Sequence, residues 1–209
     1  MKKSGKKQPD LQDPSKGEPR RMRADAQRKK GSLLQAATEV FTTSGVDAPV
    51  REIAERAGVG LGTVYRHFPQ RSDLIVAVMR TQMDACADAA TALAREYEPG
   101  EALIRWLHRF MDFFATKRGL AAALHSGDPA YSALPGYFLQ RMHVAAGSLL
   151  DAAVAAKIIR PAIRVEDLVM TVATLCHGPN GEEPPYARKM VELIVEGLRF
   201  EAHSNPLPK

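Results

Sequence analysis

The sequence predicts an all-α chain, with a small N-terminal three-helix unit followed by a larger helical body. Three observations carry this. Alanine fills 31 of the 209 positions and β-branched runs are few, a composition that favours helix. Apolar residues recur at the 3.6-residue period of an amphipathic helix through most of the chain. Gly45, Gly58, Pro69 and the Pro99-Gly100 pair mark where one apolar stripe stops and the next begins. With 45% hydrophobic and 25% charged residues, the chain is an ordinary globular mixture of about one to one and a half domains.

Residues 1–23 carry only Met1, Leu11 and Met22 as large apolar side chains, and Pro9, Pro14, Gly17 and Pro19 interrupt any period, so this segment is read as a disordered basic arm. Residues 1–30 hold 11 Lys/Arg against 4 Asp/Glu, a net +7, whereas the other 18 and 20 leave the remainder at −2. Such an arm suits an anionic partner, nucleic acid or a membrane surface. A solvated tail that keeps the chain soluble is the plainer reading.

A helix is expected from about Ala24, with Leu33, Leu34, Ala37, Val40 and Phe41 on one face and Ser44-Gly45 at its end. Val50, Ile53, Ala54 and Ala57 form a second stripe between Pro49 and Gly58. Leu61, Val64, Tyr65 and Phe68 form a third, stopped by Pro69. Each of these two is only about two turns long and marginal alone, so they must pack on each other and on the first helix, as in a helix-turn-helix unit.

The remainder reads as longer helices. Ser72-Asp73 is expected to cap one that runs to about Tyr97, with Leu74, Ile75, Val78 and Met79 inward, and Glu98-Pro99-Gly100 to break it. Residues 101–116 carry Leu103, Trp106, Leu107, Phe110, Met111 and Phe114, a broad apolar face. A loop is expected over His125 to Pro135, then an Ala-rich helix over 136–158. The last two helices are expected at about 164–177 and 185–201, separated by a linker from His177 to Pro185. No internal repeat is visible.

Several function classes are excluded on the same grounds. No run approaches the 18 apolar residues of a membrane span, and no apolar core follows Met1-Lys2-Lys3 as a secretory signal would require. Two cysteines, Cys86 and Cys176, form no disulfide framework or Cys-x-x-Cys motif, which fits a reduced, cytoplasmic protein. There is no nucleophile elbow, His-Glu-x-x-His, P-loop or dinucleotide glycine pattern. The chain is therefore not read as an enzyme, and no cofactor is expected. A metal site is not expected either, since His108, His143 and His177 have no Cys, carboxylate or second His at ligand spacing.

The segment Val50 to Leu74 resembles the DNA-binding signature of TetR-type transcriptional repressors. The resembling residues are Ile53-Ala54, Ala57-Gly58-Val59, the run Gly62-Thr63-Val64-Tyr65-Arg66-His67-Phe68, and Arg71 three before Leu74. Gly45 closing the first helix also matches, and the likeness covers about residues 25–80. It implies a helix-turn-helix DNA-binding domain over 24–71 and a larger helical effector-binding and dimerisation domain over 72–204.

The residue chemistry fits independently. A short helix with Thr, Tyr, Arg and His can lie in a major groove about 12 Å wide. Its N-terminal residues reach base edges while the preceding helix crosses the backbone. The residues assigned to DNA are Arg51, Gly60, Leu61, Gly62, Thr63, Tyr65, Arg66, His67 and Arg71. Thr63 can meet a base or phosphate, Tyr65 and His67 phosphates, and Arg66 a phosphate or guanine edge. Arg71 opens the next helix, whose backbone N–H groups would favour a phosphate. The plainer alternatives are Tyr65 as packing with a wet hydroxyl, His67 as a surface histidine, and Arg51, Arg56 and Arg66 as solvated charges. Ile53, Ala57, Val64 and Phe68 are assigned to the core.

Two positions depart from the family pattern. Pro49-Val50 stands where a Thr or Ser usually caps the second helix, so a hydroxyl that would also bind phosphate is absent, and Arg51 is the candidate substitute. Gly60 stands where serine is common. The basic arm can compensate with salt-sensitive, sequence-independent affinity.

The resemblance also implies a homodimer on a palindromic double-stranded operator, joined through the helices at about 164–177 and 185–201. It implies a small-molecule effector of unknown identity as well. Trp106, Phe110, Phe114, Tyr137, Phe138, Met142, His143 and His177 are the candidate pocket residues, soft and aromatic side chains that suit an adaptable apolar cavity. An effector that binds one dimer state better would then alter the spacing of the recognition helices. The alternatives are a DNA-binding factor with no effector and a helical enzyme.

Overall fold

The computed structural model describes residues 18–115, 127–176 and 184–199, all of them in helices or the turns between helices apart from one isolated bridge between Ile159 and Arg199. Eight α-helices are described: α1 Glu18–Ser44, α2 Val50–Arg56, α3 Leu61–His67, α4 Arg71–Glu96, α5 Pro99–Ala115, α6 Leu134–Ala155, α7 Val165–Leu175 and α8 Ala187–Leu198. A 3-10 turn, Pro129–Tyr131, precedes α6. Residues 1–17 of the expected arm lie outside the described residues.

The first helix starts six residues earlier than the sequence suggests, so residues 18–23 are helical. Pro19 falls in its first turn, where a missing N–H costs no helix bond. Further on, Leu33, Ala37, Val40 and Phe41 are buried with Ile53 and Ala54 of α2, Val64 of α3 and Phe68. Gly45 and Gly58 sit at φ +78° and +65°, the left-handed turns that end α1 and α2. Together these give α2 and α3 a shared core too small for either helix alone. Ala57, expected inside, is only half-buried.

Helix α4 begins at Arg71, one residue before the expected cap. Gln70 is the N-cap residue, and its backbone N–H donates to the Asp73 carboxylate at 2.9 Å. The cap lies there because Asp73 can reach back three residues, the capping-box geometry. Pro99 and Gly100 do not break the chain into a loop but open α5, where Pro fits the first helical position.

Long helix α4 packs against α5 and α6, and α5 and α6 pack on each other. Helices α7 and α8 lie against the outer side of that layer. The centre is aromatic: Trp106 stacks on Phe110 with centroids 5.3 Å apart, and its indole N–H donates to the Cys86 carbonyl at 3.0 Å. That bond satisfies the one polar atom of a fully buried tryptophan. No described helix is long and apolar enough to cross a membrane.

Candidate nucleic-acid interface and helical interior

The candidate interface is built on α3. Gly60 is its N-cap residue, and the Thr63 N–H donates to the Gly60 carbonyl at 2.8 Å. Val64 is the one fully buried side chain of α3, and Phe68 follows as a second anchor. With that side committed inward, Leu61, Gly62, Tyr65 and Arg66 fall on the exposed side, at i, i+1, i+4 and i+5. Tyr65 is 49% exposed, so its ring is not core packing. Thr63 and His67 flank this face half-buried. No acidic residue stands in the first turn of α3, and Arg66 and His67 close its last. The result is a short, projecting helix with hydroxyl, phenol, guanidinium and imidazole on its open side.

Pro49 precedes α2 without a side-chain cap, as the sequence requires. Arg51 is exposed at the start of α2 and donates to Glu55 at 2.9 Å. Arg56, expected as a solvated charge, pairs with Glu39 of α1 at 3.2 Å.

Arg71 turns toward the loop that leads into α2. Its guanidinium donates to the backbone carbonyls of Val46 and Ala48, the latter at 2.6 Å, and lies 6.0 Å from the Phe41 ring centroid. It is half-buried and serves the loop between α1 and α2. The sequence shows a cation at a helix start; it does not show that two loop carbonyls lie within its reach.

In the interior, Phe110 meets Phe114 edge-on at 5.1 Å and stacks on Phe138 at 5.9 Å. Phe113 stacks on Phe138 at 5.7 Å. Trp106, Phe110 and Met142 are fully buried, Phe114 and Phe138 partly so. Five of the expected pocket residues thus belong to one packed cluster. Tyr137 lies on another side of α6. Its hydroxyl donates to Asp84 of α4 at 2.6 Å, and Arg80 lies 4.9 Å from its ring centroid. Arg141, one turn on, donates to Asp84 at 2.8 Å and to Asp88 at 2.7 Å. Sharing its proton with Asp84 holds the Tyr137 phenol above its ordinary value, and partial burial adds to this. The signal for this seam was in the sequence, as acidic residues four apart on α4 and Tyr137 and Arg141 four apart on α6.

The His143 Nε2 is buried without a hydrogen-bond partner among the described residues. The same holds for His108 Nε2, which lies 3.8 Å from Glu192 Oε1. His177 lies outside the described residues. No group of three His, Cys, Asp or Glu among the described residues is placed to hold a metal.

Residues 33–78 match the family described as bacterial regulatory proteins, tetR family, and residues 98–200 match the C-terminal domain of SbtR-like transcriptional regulators. A TetR transcriptional regulator from Streptomyces coelicolor is 35% identical over 81% of this chain and 97% of its own, with a TM-score of 0.64. The chain belongs to the TetR family. A second TetR regulator, from Mycobacterium vanbaalenii, is 33% identical over 86% of this chain and 99% of its own, with a TM-score of 0.67. An HTH-type transcriptional regulator of Staphylococcus aureus is 36% identical over 64 residues, which span 30% of this chain and 35% of that protein. The α2–α3 unit is therefore the DNA-binding part of a TetR-family transcriptional regulator, and the helices from α5 onward fall in its C-terminal domain.

This TetR-family chain also leaves apolar side chains open on the last two of its described helices. Met170 of α7 and Leu193 of α8 are each 51% exposed, and Tyr186, the residue before α8, is exposed as well. A groove of about 350 Å³ lies along α7, lined by Asp167, Met170, Thr171, Thr174 and Leu175. It is not at the aromatic cluster, where the sequence points for a small molecule.

Proposed function

We propose that this regulator is a ligand-responsive repressor that binds a palindromic operator as a homodimer and is released by a small molecule. The observation that carries the DNA half is the open face of α3, which sets Leu61, Gly62, Tyr65 and Arg66 outward over a buried Val64. In this reading the start of α3 enters the major groove, Thr63 and Arg66 meet base edges, and Tyr65 and His67 meet phosphates. Arg51 adds a phosphate contact from α2, exchanging Glu55 for the DNA backbone.

The dimer forms through α7 and α8, whose exposed Met170 and Leu193 would otherwise face water. Two-fold symmetry then requires two half-sites about one helical turn apart. The effector enters the aromatic cluster of Trp106, Phe110, Phe114, Phe138 and Met142, with His143 Nε2, which has no hydrogen-bond partner among the described residues, as a polar partner. It shifts the dimer only by its differential affinity for the DNA-bound and released states. The protein acts in the cytoplasm and performs no catalysis.

A second reading, a DNA-binding factor with no effector, is favoured by the same cluster, since its rings already contact one another. Selection of genomic fragments on the purified protein at about 150 mM salt tests the operator. A palindromic site is expected; fragments without sequence preference would overturn the reading. Small molecules that release the selected operator would then separate the repressor from the effector-free factor.

A further inference from the structure

By its spacing, Leu61 belongs to the apolar stripe of α3 with Val64 and Phe68. The structure separates them. Val64 and Phe68 are buried, whereas Leu61, the first residue of α3, is 41% exposed. Its side chain is left largely outside the core of the three-helix unit. A single open leucine on a protein surface needs no explanation. This one stands on the side of α3 that also carries Tyr65 and Arg66, in the DNA-binding part of the chain.

The surroundings of Leu61 are open as well. Gly60 and Gly62 flank it, both exposed, and a Cβ at either would meet nothing within 4 Å among the described residues. Gly60 lies at φ −69° and ψ 146°, an extended conformation that any residue adopts, and neither glycine makes a left-handed turn. The two missing side chains leave room for this segment of backbone to approach a ligand closely. Leu61 is the one bulky side chain between them.

The chemistry of that side chain selects its target. An isobutyl group neither donates nor accepts a hydrogen bond, so it gains nothing from a phosphate or from the nitrogen and oxygen atoms of a base edge. The major groove of unmodified DNA offers one apolar group, the C5-methyl of thymine. We propose that Leu61 reads a thymine by packing on that methyl group, and so fixes one base pair of the operator half-site. The side chain makes the contact, not the N–H groups at the start of the helix. The inference rests on the reading above in which the start of α3 enters the major groove. It adds an apolar determinant to the hydrogen bonding assigned there to Thr63 and Arg66.

Selection from random-sequence duplexes with the full-length protein at about 150 mM salt is the first test. The wild type should return a site with a fixed thymine that Leu61→Ala no longer requires, while the other fixed positions stay. Leu61→Met keeps an apolar side chain and should keep the thymine. If Leu61→Ala returns the wild-type site with its thymine, the inference is overturned and the operator reading stands. If the wild type returns no preferred site, the operator reading fails and the inference falls with it.

The second test removes the methyl group alone, with uracil replacing each thymine of the selected site in turn. At the position that Leu61 reads, this should weaken wild-type binding about fourfold, the scale of one buried methyl group. Leu61→Ala should bind the thymine and uracil duplexes alike, with the wild-type salt slope, since no charge is lost. Wild-type affinity that is indifferent to uracil at every position would overturn the inference, and that comparison needs no variant to fold. A uracil penalty of the same size in Leu61→Ala would also overturn it, by assigning the methyl group to another side chain.

Discussion

Tyr137 of α6 gives its phenolic hydrogen to Asp84 of α4 at 2.6 Å, and Arg141 donates to the same carboxylate at 2.8 Å. The pair ties the helix that starts beside the recognition unit to the helix that borders the aromatic cluster. Removing the phenol leaves Asp84 still paired, so Tyr137→Phe should cost only about 1 kcal/mol in urea unfolding. A loss several times larger would mean that the hydroxyl also organises Arg141.

The same contact sets a pH dependence. The fold raises the Tyr137 pKa above 10.0, through its hydrogen bond to Asp84 and then through burial, and it raises that of Tyr131 chiefly through burial. A group with a raised folded-state pKa contributes stability that is complete below its unfolded value. That contribution is lost as pH climbs through the raised value. The urea midpoint should therefore hold to about pH 10 and fall above it, and Tyr137→Phe should fall less steeply. Equal alkaline slopes for both proteins would remove Tyr137 from the account.

Tyr65→Ala separates binding from folding. Its ring is half in solvent, so the melting temperature should barely move, a change within about 0.5 kcal/mol. Binding to every duplex should weaken, and the salt slope should drop by roughly one phosphate. An unchanged slope would show that Tyr65 does not touch the DNA backbone.

The helix-turn-helix was legible because its determinants are local. Gly45 and Gly58 supply the left-handed turns, and Ile53, Val64 and Phe68 supply the apolar stripe, all within one short segment. The start of α1 is hidden in the sequence because Pro19 reads as a breaker until it is placed in a first turn. The acceptors of Arg71 are hidden for a different reason. A cation at a helix start has several acceptors within reach, and only the fold shows that the Val46 and Ala48 carbonyls take it. In the interior, composition picked out Trp106, Phe110 and Phe138 as one group, but it could not separate Tyr137, which turns to the α4 seam.

Phe110→Ala probes the cluster itself. The ring touches Trp106, Phe114 and Phe138, so truncation should cost about 3–5 kcal/mol in urea unfolding. It should also open a cavity able to take up an apolar probe such as benzene, detected as a rise in melting temperature when the probe is added. A collapse of the neighbours into the space would give a smaller loss and no such rise.

Leu193→Glu tests the assembly. Leu193 is open to solvent in the single chain, so the change should leave the helix content of each subunit intact. In a two-fold dimer built on α7 and α8, the same substitution appears on both sides and places two carboxylates in a desolvated apolar seam. Sedimentation equilibrium should then show the dimer dissociation constant rising by at least about a hundredfold, which corresponds to about 2.7 kcal/mol. Operator affinity should fall with it, because one subunit no longer holds its partner at high effective concentration over the second half-site. Retention of the dimer with full operator affinity would take Leu193, and with it the exposed side of α8, out of the subunit interface.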